Sequence, residues 1–191
     1  MSEVKNKNLL NLVLSAMFLA LGIVLPFLTG QIKEIGNMLL PMHIPVMLCG
    51  LICGPQYGLI IGAITPILRS SLFGMPVMFP SAIGMAFELA TYGFVIGYLF
   101  KNAKWKCIKA LYRCMLISMV SGRVVWGIVQ CFLLGLGDNG FTMTAFISSS
   151  FLKAVPGIIL QLVLIPAVML ILGKTHLVHF HSGKQKNKTA K

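Results

Sequence analysis

The sequence predicts an all-α integral membrane protein, a bundle of six transmembrane helices with the N- and C-termini in the cytoplasm. Three observations lead to this fold class. Hydrophobic residues make up 57% of the 191-residue chain and charged residues only 10%, whereas a soluble domain carries roughly 25% charged residues. The apolar residues gather into runs close to the about 20 residues that a helix needs to cross a bilayer. The cations, finally, lie mostly outside these runs.

Six apolar runs have the length, or nearly the length, of a membrane span. They cover residues 9–28, 38–54, 56–72, 80–100, 110–136 and 148–172. Prolines interrupt the second, third and sixth runs, and membrane helices tolerate proline where neighbouring helices cover the freed backbone groups. We therefore predict a cytoplasmic tail at 1–8, a single six-helix transmembrane domain at 9–172 and a basic cytoplasmic tail at 173–191.

The distribution of positive charge predicts the orientation. Six spans place both termini on one side, together with the loop between the fourth and fifth runs. These three segments hold most of the lysines: Lys5, Lys7, Lys101, Lys104, Lys106, Lys109, Lys174, Lys184, Lys186, Lys188 and Lys191. The opposite side carries only Lys33 with Glu34, and Asp138. Positively charged segments stay in the cytoplasm, so the net charge of +12 is attributed to orientation in the membrane and not to nucleic-acid binding.

Four charged residues fall inside the apolar runs, and such residues usually mark the path of a substrate or ion. They are Arg69, Glu88, Arg123 and Lys153. With a helical rise of about 1.5 Å per residue, Glu88 lies about 12 Å from the outer end of its run, Arg123 about 16–20 Å and Lys153 about 8 Å, with Arg69 near the outer end. His43 lies at the outer end of the second run. Together these residues predict a substrate pocket that opens to the outside.

The charges in this pocket favour an anionic ligand. Glu88 is expected to pair with Arg123, which lies at a matching depth, and this leaves roughly two cations to bind a carboxylate. The same residues allow another interpretation, in which the Glu88–Arg123 pair is structural and Arg69 and Lys153 extend towards the membrane interface. His43 at a helix end is equally compatible with simple contact to water. The sequence leaves these alternatives open.

Small residues give the first run a surface for another helix. Ala16 and Ala20 form an Ala-x-x-x-Ala pair, and small residues four apart allow close helix approach. Glycines also recur at four-residue spacing within residues 50–62, where packing inside the bundle is expected. With six runs, an outward pocket and the segment Leu40-Pro41-Met42-His43-Ile44-Pro45-Val46, the chain resembles, over residues 9–172, the S component of an energy-coupling factor (ECF) transporter. Its second and third runs are similar to the branch of pantothenate, folate and cobalamin binders.

This resemblance implies a function, a location and a set of partners. An S component captures a vitamin or related micronutrient outside a bacterial cell, associates in the cell membrane with a T component and two cytoplasmic ATPases, and topples to release its ligand inside. Ala16 and Ala20 would face the T component. The first outer loop would act as a lid over the pocket. Its polar residues are Gln31, Lys33, Glu34 and Asn37. Pantothenate, which is small and anionic, fits both the branch and the charges, and folate and other acidic vitamins are the alternatives.

Other classes of membrane protein are less consistent with the sequence. No Gly-x-x-x-x-Gly-Lys-Ser/Thr loop is present, so the ATP hydrolysis that drives transport is expected from partner subunits. A stand-alone carrier or pore remains an alternative, although the two halves show no repeat of the kind common in carriers. A membrane enzyme would need paired carboxylates, a metal cluster or a nucleophile beside a base. We predict none of these, and no catalytic residue, metal site or cofactor.

Overall fold

The computed structural model describes residues 2–29, 41–103, 107–135 and 155–174, and this part of the chain is helical without any β-strand. Its α-helices are α1 (Ser2–Val24), α2 (His43–Cys53), α3 (Pro55–Phe73), α4 (Ile83–Asn102), α5 (Ile108–Gly135) and α6 (Val155–Lys174). A 3₁₀ turn, Leu25–Thr29, follows α1, and a π-helical turn, Met78–Ala82, precedes α4. For these residues the predicted all-α fold class is confirmed.

Several of the helices are suited to a membrane. Among the described residues, four segments are long and apolar enough to cross one: Asn8–Phe27, Met78–Asn102, Ile108–Leu133 and Val155–Leu172. They present large apolar side chains outward, including Val120, Phe132 and Val163, each more than 60% exposed. Such outward faces suit contact with lipid, because a soluble protein rarely exposes a large contiguous apolar surface.

Helix α2 forms the centre of the bundle. It has 11 residues, and Ile52 alone among them is not fully buried. A helix that is apolar all round must be enclosed by other elements, and α2 packs against α1, α3, α4 and α6. Pro45 lies in its first turn, where the missing N–H costs nothing because that donor has no partner inside the helix. His43 therefore begins a helix in the interior of the protein.

Glycines bring the backbones of α2, α3 and α4 into direct contact. A Cβ atom added to Gly93 would lie 2.2 Å from the carbonyl oxygen of Gly58, and one added to Gly50 would lie 2.3 Å from the carbonyl oxygen of Gly93. A Cβ atom on Gly62 would lie 2.4 Å from the carbonyl oxygen of Leu89. The packing role predicted for the glycines at four-residue spacing is thus confirmed for Gly50, Gly58 and Gly62. Gly54 differs, since it ends α2 with a φ of 105°.

We expect Gly93→Ala to destabilise the fold by roughly 3 kcal/mol, because the new methyl group would meet backbone that cannot move aside. The measurement is thermal and denaturant unfolding of the detergent-solubilised chain. Gly84→Ala is the matched control, since its Cβ would meet the flexible amide end of Gln130 at 2.6 Å. Equal stability losses for the two variants would contradict the role assigned to backbone contact.

Candidate functional site

The candidate site is a cluster of ionisable side chains around Glu88 in α4, which is only 2% exposed. Three side chains approach the same carboxylate oxygen, Oε1. Tyr92 donates a hydrogen bond to it from its hydroxyl at 2.8 Å. Arg123 Nη1 lies 3.3 Å from it and His43 Nε2 lies 3.7 Å from it. The ion pair that the sequence predicted from matching depths, Glu88 with Arg123, is therefore present.

Local structure explains why these side chains meet. Glu88 and Tyr92 are four residues apart in α4, so their side chains lie on the same face of the helix. Arg123 comes from the middle of α5, and its neighbour Gly122 leaves room for the Tyr92 ring, because a Cβ atom there would lie 2.2 Å from Tyr92 Cε1. His43 enters from the first turn of α2 with its ring centroid 5.2 Å from that of Tyr92. The cluster thus joins α2, α4 and α5.

The buried negative charge of Glu88 is compensated by its neighbours Arg123 and Tyr92. An isolated carboxylate in an apolar interior costs several kcal/mol, and the guanidinium group of Arg123 and the hydroxyl of Tyr92 offset that cost. The Arg123–Glu88 distance of 3.3 Å exceeds the about 2.7–2.9 Å of a tight charge-assisted hydrogen bond. The side chain of Arg123 is 12% exposed, against 3% for Glu88 and 1% for His43. Arg123 is accordingly the most exposed of these three side chains.

Some buried polar atoms of the described residues have no hydrogen-bond partner. These are His43 Nδ1, His43 Nε2, Gln130 Oε1 and Gln161 Nε2. Folded proteins rarely leave buried polar groups without partners, because each such group loses its hydration without compensation. Gln130 lies seven residues beyond Arg123, on the same face of α5. Such atoms can bind a ligand that carries its own donors and acceptors.

Tyr92, in the cluster, and the buried Gln130 and Gln161 are not among the site residues that the sequence predicts. Those predictions rest mainly on charged residues inside the apolar runs, whereas these three side chains are neutral. A glutamine inside a run such as Ile158-Ile159-Leu160-Gln161 is a recognisable signal, since an amide is costly in an apolar interior. Tyr92 carries a weaker signal, namely its position one helical turn after a buried carboxylate.

Arg69 makes its observed contacts away from the Glu88 cluster, with Ile23 and Phe27. Its Nη1 donates a hydrogen bond to the backbone carbonyl of Ile23 at 2.8 Å, and its guanidinium carbon lies 5.3 Å from the centroid of the Phe27 ring. Phe27 in turn meets Phe73 edge to face at 4.8 Å. Arg69 therefore ties α3 to the C-terminal end of α1, where backbone carbonyls lack partners within the helix. A direct role of Arg69 in the substrate site stays a prediction.

Five of the other predicted site residues lie outside the described residues. They are Lys153 and the four residues assigned to the lid loop, Gln31, Lys33, Glu34 and Asn37.

Ala16 and Ala20 lie on the exposed side of α1. On its opposite side, Ser15 accepts a hydrogen bond from Cys49 Sγ at 3.6 Å, and Gly22 faces Thr65. Helix α1 therefore has an inner face bound to the bundle and a free face that carries the two alanines.

Comparison with known proteins gives one match. A family model described as "ECF transporter, substrate-specific component" matches residues 10–172. No match was found among curated proteins or among solved structures. The matched stretch begins in α1 and ends in α6, so it includes the whole Glu88 cluster.

A double-mutant cycle measures the Glu88–Arg123 interaction. We expect Glu88→Gln and Arg123→Met each to lower the free energy of unfolding by roughly 3 kcal/mol, because each leaves a buried charge without its partner. The double variant should lose at least about 1 kcal/mol less than the sum of the two single losses. Denaturant unfolding of the solubilised chain provides these values.

Arg113→Met is the control for removal of a cation, since Arg113 lies on the same helix but is exposed. It should change stability by less than about 0.5 kcal/mol. Strictly additive losses from Glu88→Gln and Arg123→Met would show that the pair contributes no coupling.

Proposed function

Because the chain belongs to the family of ECF transporter substrate-specific components, we propose that it captures an anionic, water-soluble micronutrient from outside the cell at the His43–Glu88–Arg123 cluster. Members of this family are subunits of transporters and not enzymes, and they act with a T component and ATPases. The observation that carries the proposal is the convergence of ionisable side chains from three helices on one buried carboxylate oxygen.

The proposed topology has six membrane spans with both termini in the cytoplasm of a bacterial cell. The described helices support it, since each coincides with one of the six predicted apolar runs. Helix α2 would rise only about 16 Å, but it is enclosed by other helices and does not need to match the bilayer by itself. Helices α4 and α5 are joined at residues 103–107, beside the lysine-rich segment that the positive-inside rule assigns to the cytoplasm.

The proposed ligand is a carboxylate, with pantothenate as the leading candidate. Arg123 supports this choice, because a guanidinium group binds a carboxylate through two parallel hydrogen bonds and this one is partly exposed. The unpartnered amide atoms of Gln130 and Gln161 suit a ligand with hydroxyl and amide groups, which pantothenate has. Lys153, near the outer side in the sequence prediction, would add a second cation.

The ligand test is mass spectrometry of the small molecules that co-purify with the detergent-solubilised chain, combined with equilibrium binding of radiolabelled pantothenate. We expect stoichiometric retention by the native chain and a loss of at least about 100-fold in affinity for Arg123→Ala, since a bidentate charged contact is removed. The Glu88→Gln/Arg123→Met double variant, which leaves no unpaired charge, should also fail to bind.

Arg113→Ala is the matched control and should bind as the native chain does, because it removes an exposed cation from the same helix. Native affinity in a folded Arg123→Ala variant would remove Arg123 from the site. A native chain that retains no small anion would overturn the proposed ligand class.

The proposed docking surface for the T component is the free face of α1, defined by Ala16 and Ala20. Both residues are exposed, and their small side chains would let a partner helix approach the backbone closely. The inner face of α1 is already occupied by its contacts with α2 and α3.

We expect Ala16→Trp/Ala20→Trp to block co-purification with the T component while pantothenate binding by the isolated chain is unchanged, because two indole rings would hold the partner helix away. The control is Val163→Trp, which places the same bulk on an outward position of α6 that is 64% exposed. Intact assembly and uptake in the double tryptophan variant would show that docking occurs on another surface.

A further inference from the structure

The net charge of the Glu88 cluster depends on the protonation state of His43. In the structure, Arg123 balances Glu88, and both nitrogens of His43 lack a hydrogen-bond partner. His43 Nε2 is 3.7 Å from Glu88 Oε1, which is beyond hydrogen-bond distance, so the structure shows no hydrogen bond between the imidazole and the carboxylate. With a neutral imidazole, the cluster has one negative and one positive charge and is electrically neutral as a whole.

An anionic ligand would upset this balance. A carboxylate that binds to Arg123 brings a second negative charge into a region where Glu88 and His43 are almost completely buried. Uncompensated charge in such a place is strongly unfavourable. Arg69 does not supply the compensation from its observed position, because its guanidinium group binds the end of α1.

His43 is the group placed to restore neutrality. Within the part of the chain that the structure describes, the ionisable groups that face it are Glu88 and Tyr92 from α4 and Arg123 from α5. Of the four side chains in the cluster, only that of His43 can pass from a neutral to a positively charged form near neutral pH. Neither of its ring nitrogens has a hydrogen-bond partner. A protonated His43 would direct Nε2–H towards Glu88 Oε1, which already accepts from Tyr92.

We propose that capture of a carboxylate ligand is coupled to the uptake of one proton by His43, while Arg123 is shared between Glu88 and the ligand. This inference deepens the proposed function and rests on it. The proton comes from solvent and adds to the free ring nitrogen of His43; the ligand stays ionised and no other bond is made or broken. The two negative charges, Glu88 and the ligand, then face two positive charges, Arg123 and His43.

The test is titration calorimetry of the full solubilised chain with pantothenate in phosphate and in Tris, whose ionisation enthalpies differ. The dependence of the binding enthalpy on the buffer gives the number of protons taken up. At pH values where His43 of the empty site is neutral, we expect about one proton per pantothenate and a Kd that rises about tenfold per pH unit, because proton uptake opposes binding as pH increases. Below that range the dependence should fade, since His43 is then already charged.

Panthenol is the matched ligand control. It has the skeleton of pantothenate with an alcohol in place of the carboxylate, so it should bind, if at all, without proton uptake and without dependence on pH. Equal proton uptake with the two ligands would overturn the inference, because the proton would then not compensate the carboxylate.

Two variants locate the proton. His43→Gln cannot be protonated, and we expect it to abolish proton uptake and to weaken pantothenate binding at least about tenfold at pH 7. Glu88→Gln leaves Arg123 with no counter-charge in the empty site, so it should bind pantothenate without proton uptake and with a flat pH profile. Arg113→Gln, which removes an exposed cation, should leave the proton count unchanged.

The outcomes separate this inference from the function on which it rests. Tight pantothenate binding with no proton uptake would overturn the inference alone and assign the counter-charge to another cation, with Lys153 the first to replace. Proton uptake that persists in His43→Gln would overturn the assignment to His43. A chain that binds no pantothenate would overturn the proposed ligand, and the inference with it.

Discussion

A single buried carboxylate organises the interior of this protein. Glu88 is enclosed by apolar helices, and its ionised form is tolerable only because Arg123 and Tyr92 reach the same oxygen. These contacts tie α4 to α5 and hold the ring of Tyr92 against the glycine beside Arg123. The same interaction sets the charge of the proposed site and, under the proposed function, the kind of molecule that it would accept.

The glycine contacts explain how such a pair can be held in place. Helices α2, α3 and α4 touch through their backbones at Gly50, Gly58 and Gly93, with no side chain between them that could change rotamer. Packing of this kind is stiff, and it holds α4 in place at Gly93, about one turn beyond Glu88 in the same helix. His43, on α2, belongs to the same unit. Arg123 comes from α5, whose Gly122 meets α4 through the ring of Tyr92 and not through backbone.

The sequence predicted the fold class and the central ion pair but not the neighbours of every charge. Run length and hydropathy identify helices, and the similar depths of Glu88 and Arg123 indicated their pairing because both lie towards the middle of adjacent spans. Depth does not say which way a side chain points, and Arg69 accordingly turned out to contact α1. Gln130 and Gln161 are neutral, so a search for charges did not find them. The orientation of helices about their own axes is set by packing, which one sequence does not reveal.

The contact between Arg69 and the end of α1 has a mechanical meaning. Arg69 donates a hydrogen bond to Ile23 in the last turn of α1, Gly22 packs against Thr65 of α3 in the same turn, and Ser15 accepts a hydrogen bond from Cys49 of α2 about two turns earlier. The inner face of α1 is thus attached to the bundle along its C-terminal half, while Ala16 and Ala20 remain exposed. A force applied to that outer face would therefore act on α2 and α3 as well as on α1, and would tend to move the three helices together.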